Sequence, residues 1–75
     1  MTKAFVLLNT ENDRSEAVYE KLNDISSIEE KFRMYGVYDI IVLIEEPDMK
    51  TLKETVFHKI RKYKGVKTTL TLLVM

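Results

Sequence analysis

The chain contains no cysteine and no glutamine, and only one histidine, one proline and two glycines. Without cysteine there is neither a disulfide framework nor a thiolate metal site, and a single histidine makes no zinc set. No basic region followed by a long apolar core marks a signal peptide, and no apolar run approaches the ~20 residues of a membrane span. The chain is therefore expected in the cytoplasm, with no membrane contact. Twelve basic residues balance twelve acidic ones, so the basic excess behind non-specific nucleic-acid binding is missing. Lys, Glu and Ile are abundant, which together with the absent Gln and Cys suits a thermophilic source. No phosphate loop, nucleophile motif or glycosidase-like carboxylate pair occurs. No catalytic residue, metal ligand or cofactor is expected.

Seventy-five residues make one domain, spanning 1–75. At this size only ~60% of the unfolded-chain surface is buried, so the domain gains from self-association. Lys3 to Asn9 reads as a strand apolar on both faces, hence central or covered on both sides. Asn12 or Asp13 is the expected cap of a first helix, with Asp13 and Glu16 approximating a capping box. Val18, Leu22 and Ile25 form the buried stripe of that helix, and Ser26-Ser27 ends it. Ile28 to Met34 alternates, with Glu29, Lys31 and Arg33 on one face, as suits an edge strand. Ile40 to Ile44 is again apolar on both faces. Asp48 caps a second helix whose stripe is Met49, Leu52, Val56, Ile60 and Tyr63. Lys59, Arg61, Lys62 and Lys64 complement its dipole, Gly65 is its expected C′ residue, and Val66 to Met75 is the last strand.

The order β-α-β-β-α-β, with a hairpin and two right-handed crossovers, predicts an α+β, ferredoxin-like fold. It has a four-stranded antiparallel sheet with both helices on one face, and the first and third strands are central. Strict alternation separates Phe5, Leu7, Ile41 and Leu43 from Ala4, Val6, Leu8, Ile40, Val42 and Ile44. One set faces the helices. The other would leave a larger apolar patch than monomers normally expose, so a homodimer packed through its sheets is expected.

Chemistry concentrates at Tyr35-Gly36-Val37-Tyr38-Asp39, the expected hairpin turn, where Gly36 marks a backbone position needing φ > 0 or close approach. Asp39 could pair with an ammonium group, while turn N–H groups and the hydroxyls of Thr68, Thr69 and Thr71 could receive a carboxylate. Equally, Asp39 could bond the turn backbone, with the threonines serving only as strand formers. Residue chemistry leaves both open. His58 lies off the helix stripe among charged neighbours and reads as a solvated surface residue. Glu45 and Glu46 are adjacent on a strand and point apart, so they form no acid–base pair. The basic run from Lys59 to Lys67 reads as a solvated helix end rather than a nucleic-acid patch.

Ala4 to Thr10, Gly36-Val37-Tyr38-Asp39-Ile40 and Gly65-Val66-Lys67-Thr68-Thr69-Leu70-Thr71 together resemble the effector (RAM) domain of Lrp/AsnC feast/famine regulators. The resemblance covers essentially the whole chain. It implies a transcription-regulation module, dimers packed through their sheets, assembly into rings of dimers (often octamers), and amino-acid effectors bound between dimers. It also implies roles for the turn residues Gly36, Tyr38 and Asp39 and for Thr68, Thr69 and Thr71. Tyr35 stands where family members often carry threonine, and Ser26-Ser27 stands where they carry proline-glycine. The family's DNA-binding half has no counterpart here, so a stand-alone version without direct DNA binding is expected. It would act by co-assembling with full-length relatives. The ligand-binding set is thus Tyr35, Gly36, Val37, Tyr38, Asp39, Thr68, Thr69 and Thr71. The rival expectations are a purely structural assembly domain and a small dimeric α+β barrel enzyme.

Overall fold

The computed structural model describes residues 1–75. Strand β1 (Thr2–Thr10), helix α1 (Ser15–Lys21), strands β2 (Ile28–Arg33) and β3 (Ile40–Glu46), helix α2 (Met49–His58) and strand β4 (Val66–Leu73) follow in order. Each helix runs into a short 3-10 turn, Leu22–Asp24 after α1 and Ile60–Lys62 after α2. The sheet is antiparallel throughout with order β2-β3-β1-β4. This is the expected ferredoxin-like arrangement, with the two most apolar strands inside and β2 and β4 at the edges. No helix is long and apolar enough to cross a membrane.

Pairing of β1 with β3 sets Ala4 opposite Ile44, Val6 opposite Val42 and Leu8 opposite Ile40. All six are fully buried, because alternation points them to the side that the helices cover. Val18, Leu22 and Ile25 from the α1 segment, and Leu52, Val56 and Ile60 from the α2 segment, close the same core. Truncating one of its leucines to alanine costs about 2–5 kcal/mol in such a setting. The alternate residues Phe5, Leu7, Ile41 and Leu43 lie on the open face, paired Phe5 with Leu43 and Leu7 with Ile41. Strand β4 adds Leu72 beside Phe5 and Leu70 beside Leu7, and β2 adds Phe32 beside Ile41. Phe5, Phe32, Leu70 and Leu72 are exposed. Glu45 and Glu46 diverge as their adjacency requires. Glu46 is buried on the helix side, accepting a hydrogen bond from Thr55 Oγ1.

Asp48 caps α2 by accepting from the Thr51 backbone N–H at 2.8 Å. That bond, aided by the Thr51 side chain, favours its ionised form and holds its carboxyl below the usual range.

Three local expectations are corrected. Helix α1 begins at Ser15 behind Arg14 with no side-chain cap, so neither Asn12 nor Asp13 caps it. Asp13 instead takes φ 64° inside a turn closed by the Arg14 N–H on the Glu11 carbonyl at 3.0 Å. Asp tolerates that left-handed conformation better than most residues. The alternation of β2 is broken by an irregularity between Ile28 and Glu30. It puts Ile28 opposite the buried Ile44 and packs it against the core, leaving Glu30 and Phe32 on the open face. Finally, α2 ends at His58, so Gly65 is not its C′ residue. Gly65 sits in the turn closed by the Val66 N–H on the Tyr63 carbonyl at 3.1 Å. Its φ of 100° suits the third position of a type II turn.

A Cβ on Gly65 would lie 2.8 Å from Arg14 Cβ and 3.1 Å from Val18 Cγ2, whereas one on Gly36 would meet nothing within 4 Å. In urea unfolding, Gly65→Ala is expected to lose about 2 kcal/mol or more through strain plus collision. Gly36→Ala, with backbone strain alone, is expected to lose about 1 kcal/mol.

Candidate functional site

The turn between β2 and β3 is held at both ends. The Met34 N–H donates to the Asp39 carbonyl at 2.8 Å, and the Asp39 N–H donates to the Leu8 carbonyl at 2.9 Å. Between them Gly36 has φ 136°, a conformation that favours a residue without Cβ. The Asp39 side chain is half-buried. Its Oδ2 accepts from the Thr10 backbone N–H at 2.8 Å and from Thr10 Oγ1 at 3.1 Å. The carboxylate therefore stitches the turn to the end of β1. Both bonds fall on Oδ2, so Oδ1 keeps its lone pairs for another donor.

Beside this carboxylate lies a hollow of about 380 Å³ lined by Ser15, Arg33, Met34, Tyr35 and Asp39. Arg33 reaches across from the end of β2 and donates through Nη2 to Ser15 Oγ at 3.4 Å. One cationic fork and one carboxylate thus face the same small space. The guanidinium has donors to spare for a planar anion. On the same edge strand, Lys31 is committed elsewhere. Its Nζ donates to the Tyr19 carbonyl at 2.6 Å and lies 3.8 Å from the Tyr19 ring centroid.

Of the residues expected at the site, Tyr35 and Asp39 line the hollow and Gly36 shapes its loop. Tyr35 is fully and Val37 largely exposed, while Tyr38 is half-buried. The three threonines do not converge on Asp39. Thr68, opposite Asn9, accepts from Asn9 Nδ2 at 3.0 Å on the open face. Thr69 and Thr71, opposite Leu8 and Val6, belong to the helix side and line a separate groove against α2. Period-two alternation forces that split. Arg33, Ser15, Met34 and Thr10 were not foreseen. For Arg33 the available signal was a cation at the strand end next to the turn, which reads equally well as edge protection. Nothing local in the sequence marks Ser15 or Thr10.

At the opposite end of the open face, Glu45 and Glu29 approach each other, and Lys3 Nζ lies 3.5 Å from Glu29 Oε1. The hydrogen bond with Glu29, assisted by desolvation and carboxylate repulsion, raises the Glu45 carboxyl above its ordinary value. No group of three or more His, Asp or Glu residues converges to hold a metal ion. His58 is exposed on α2 beside Lys53, Glu54 and Phe57.

The family model described as the Lrp/AsnC ligand binding domain matches residues 3–75. The chain belongs to this family. The crystal structure of FFRP-DM1 superimposes with TM-score 0.96 at 33% identity, covering 100% of both chains. TTHA0845 from Thermus thermophilus gives TM-score 0.94 at 31% identity over 100% of this chain and 94% of that one. The transcriptional regulator NMB0573 from Neisseria meningitidis, solved as an L-Met complex, gives TM-score 0.89 at 14% identity. The match covers 99% of this chain and 49% of the regulator, and at that identity it shows the shared fold alone. No curated protein is a significant match. The family is one of regulatory, effector-binding domains rather than catalysts.

Because Asp39 carries two hydrogen bonds within the fold, its removal has a structural cost apart from any ligand. Asp39→Ala is expected to lower the unfolding free energy by about 1–3 kcal/mol. Asp39→Asn, which keeps an acceptor oxygen for Thr10, is expected to lose less than half of that. Urea unfolding of both variants in ligand-free buffer measures the difference.

Proposed function

We propose that this domain is a non-enzymatic effector sensor that binds a free amino acid at the turn hollow. The observation that carries the reading is the pairing of Arg33 with Asp39 across one hollow. An α-amino acid presents a carboxylate and an ammonium on a single carbon, and these two side chains offer the complementary charges. Arg33 would take the carboxylate bidentately, and Asp39 Oδ1 would accept from the ammonium. Tyr35 would lie against the ligand side chain, and Gly36, Val37 and Tyr38 would carry the loop that frames it. The hollow is open on one side, as a site completed by a second dimer would be. The L-Met bound to the Neisseria meningitidis regulator is a ligand of the same class.

The assembly reading rests on the open face. Phe5, Leu7, Phe32, Ile41, Leu43, Leu70 and Leu72 together form a patch of the kind that soluble monomers bury against a partner. Two copies packed sheet to sheet would cover it, and rings of dimers would bring turn hollows together. Thr68, on the open face, then serves the dimer, and Thr69 and Thr71 are outside the amino-acid site. We take the domain to act in the cytoplasm by co-assembling with regulators of the same family. The similarity to the Thermus thermophilus protein favours a thermophilic source. A purely structural role in ring contacts remains the rival, and ligand binding decides between them.

Thermal unfolding against the twenty amino acids, with Arg33→Gln and Asp39→Asn in parallel, tests the sensor. An effector at 100 times its dissociation constant should add ~2.7 kcal/mol to the wild type. Both variants should lose that gain, Asp39→Asn relative to its own slightly lower ligand-free baseline. No stabilisation by any amino acid would sink the sensor reading. For the sheet dimer, the double variant Phe5→Lys/Leu72→Lys is expected to sediment as a monomer where the wild type sediments as a dimer or larger. An unchanged sedimentation coefficient would place the contact elsewhere.

A further inference from the structure

On the far side of β4 from the open face, α2 does not fully cover the sheet edge. A groove of about 330 Å³ remains, lined by Met49, Leu52, Val56 and Leu73 with Thr69 and Thr71. That volume falls at the lower end of small-molecule sites, roughly 300–1,000 Å³. Its floor is firm, since Leu52 and Val56 belong to the buried core. Lys53, Phe57 and Arg61 complete the lining. They recur every four residues and form a row along the outer margin of α2 and its 3-10 extension. The Arg61 guanidinium carbon lies 4.8 Å from the Phe57 ring centroid, which holds its charge at the groove mouth. None of the nine lining residues is acidic. Glu54, the acidic residue next to Lys53 in sequence, is not among them; it lines the adjoining outer surface of α2 with Lys53, Phe57 and His58. Glu46 is occupied by Thr55.

We infer that this groove binds a small carboxylate with a branched or aromatic apolar tail and no ammonium group. The tail lies on Leu52, Val56 and Leu73, and the carboxylate is held by Arg61 and Lys53, with Thr69 or Thr71 donating a hydroxyl. An ammonium group would meet two cations and no carboxylate here, so an amino acid is disfavoured where the turn hollow would favour it. Such an acid has the carbon skeleton left when a hydrophobic amino acid loses its amino group. The inference uses no residue of the turn site and stands whether or not that site binds amino acids.

Titration calorimetry of the intact protein with 4-methylpentanoate, 4-methylpentanamide and leucine tests it, using wild type, Arg61→Gln, Lys53→Gln and Asp39→Asn. Arg61 and Lys53 are exposed, so their variants should keep the fold. The acid is expected to bind saturably and the amide at least tenfold more weakly, as is leucine when titrated into Asp39→Asn, where the turn hollow does not contribute. Arg61→Gln should weaken the acid roughly tenfold, the loss of about one charge-assisted hydrogen bond, and Asp39→Asn should leave it unchanged. Absent saturation, equal binding of acid and amide, or indifference to both cation variants would overturn the inference. So would loss of acid binding in Asp39→Asn alone. If the groove instead seats a second copy of the chain, Arg61→Glu would shift the sedimentation coefficient while the acid gives no titration, which also overturns it.

Discussion

The pairing of β1 with β3 governs the rest of the molecule. Its Ala4, Val6 and Leu8 meet Ile44, Val42 and Ile40 on one face, and a second apolar set meets on the other. Two adjacent strands apolar on both sides cannot sit at the edge of a sheet without exposing backbone and side chains together. They take the centre, and β2 and β4 take the edges. Helices cover one face and pack into a single core with it. The other face keeps Phe5, Leu7, Ile41 and Leu43 outside that core. The same pairing carries the turn, because Asp39 continues the ladder through its N–H on Leu8 and locks its carboxylate onto Thr10.

Asp39 has a structural role in the fold, and the proposed function would give it a second one that residue chemistry treats as an alternative. One oxygen secures the hairpin to the neighbouring strand, and the other accepts no hydrogen bond from the rest of the chain. A carboxylate has enough lone pairs for both uses. In the proposed site, support from Thr10 would fix the geometry that an incoming ammonium meets and so lower the ordering cost of binding. The hollow against α2 differs in kind, since it has two cations, an apolar floor and no acid. The domain thus presents two small concave surfaces with different charge patterns, one beside the start of α1 and one against α2.

Much of the fold was legible because its signals are periodic and local. The double-sided strands, the Leu52–Val56–Ile60 stripe, the Asp48 cap and the Gly36 turn each follow from spacing or from one residue's backbone preference. The failures share a cause. Asp13 carries the side chain of a cap but sits at φ 64°, two residues before the helix begins at Ser15. Gly65 follows a basic helix end, yet it serves a turn whose tight contact is with Arg14 on the other helix. The irregularity after Ile28 reverses which β2 residues face the core, and no local pattern distinguishes it from simple alternation. The threonines were grouped by closeness in sequence, whereas a strand sends neighbours to opposite faces.

The sequence by itself determined the element order, the central strands, the apolar character of both sheet faces and the family resemblance. Hydrophobic period and turn chemistry act over a few residues, and they are written in the chain. Only the tertiary structure decided that Arg33 rather than the threonines faces Asp39, and that Ser15 and Thr10 complete its surroundings. It also decided that Thr69 and Thr71 line a groove with Arg61. Those neighbours are brought together by strand register and helix position, which depend on how the whole core packs and not on any one stretch.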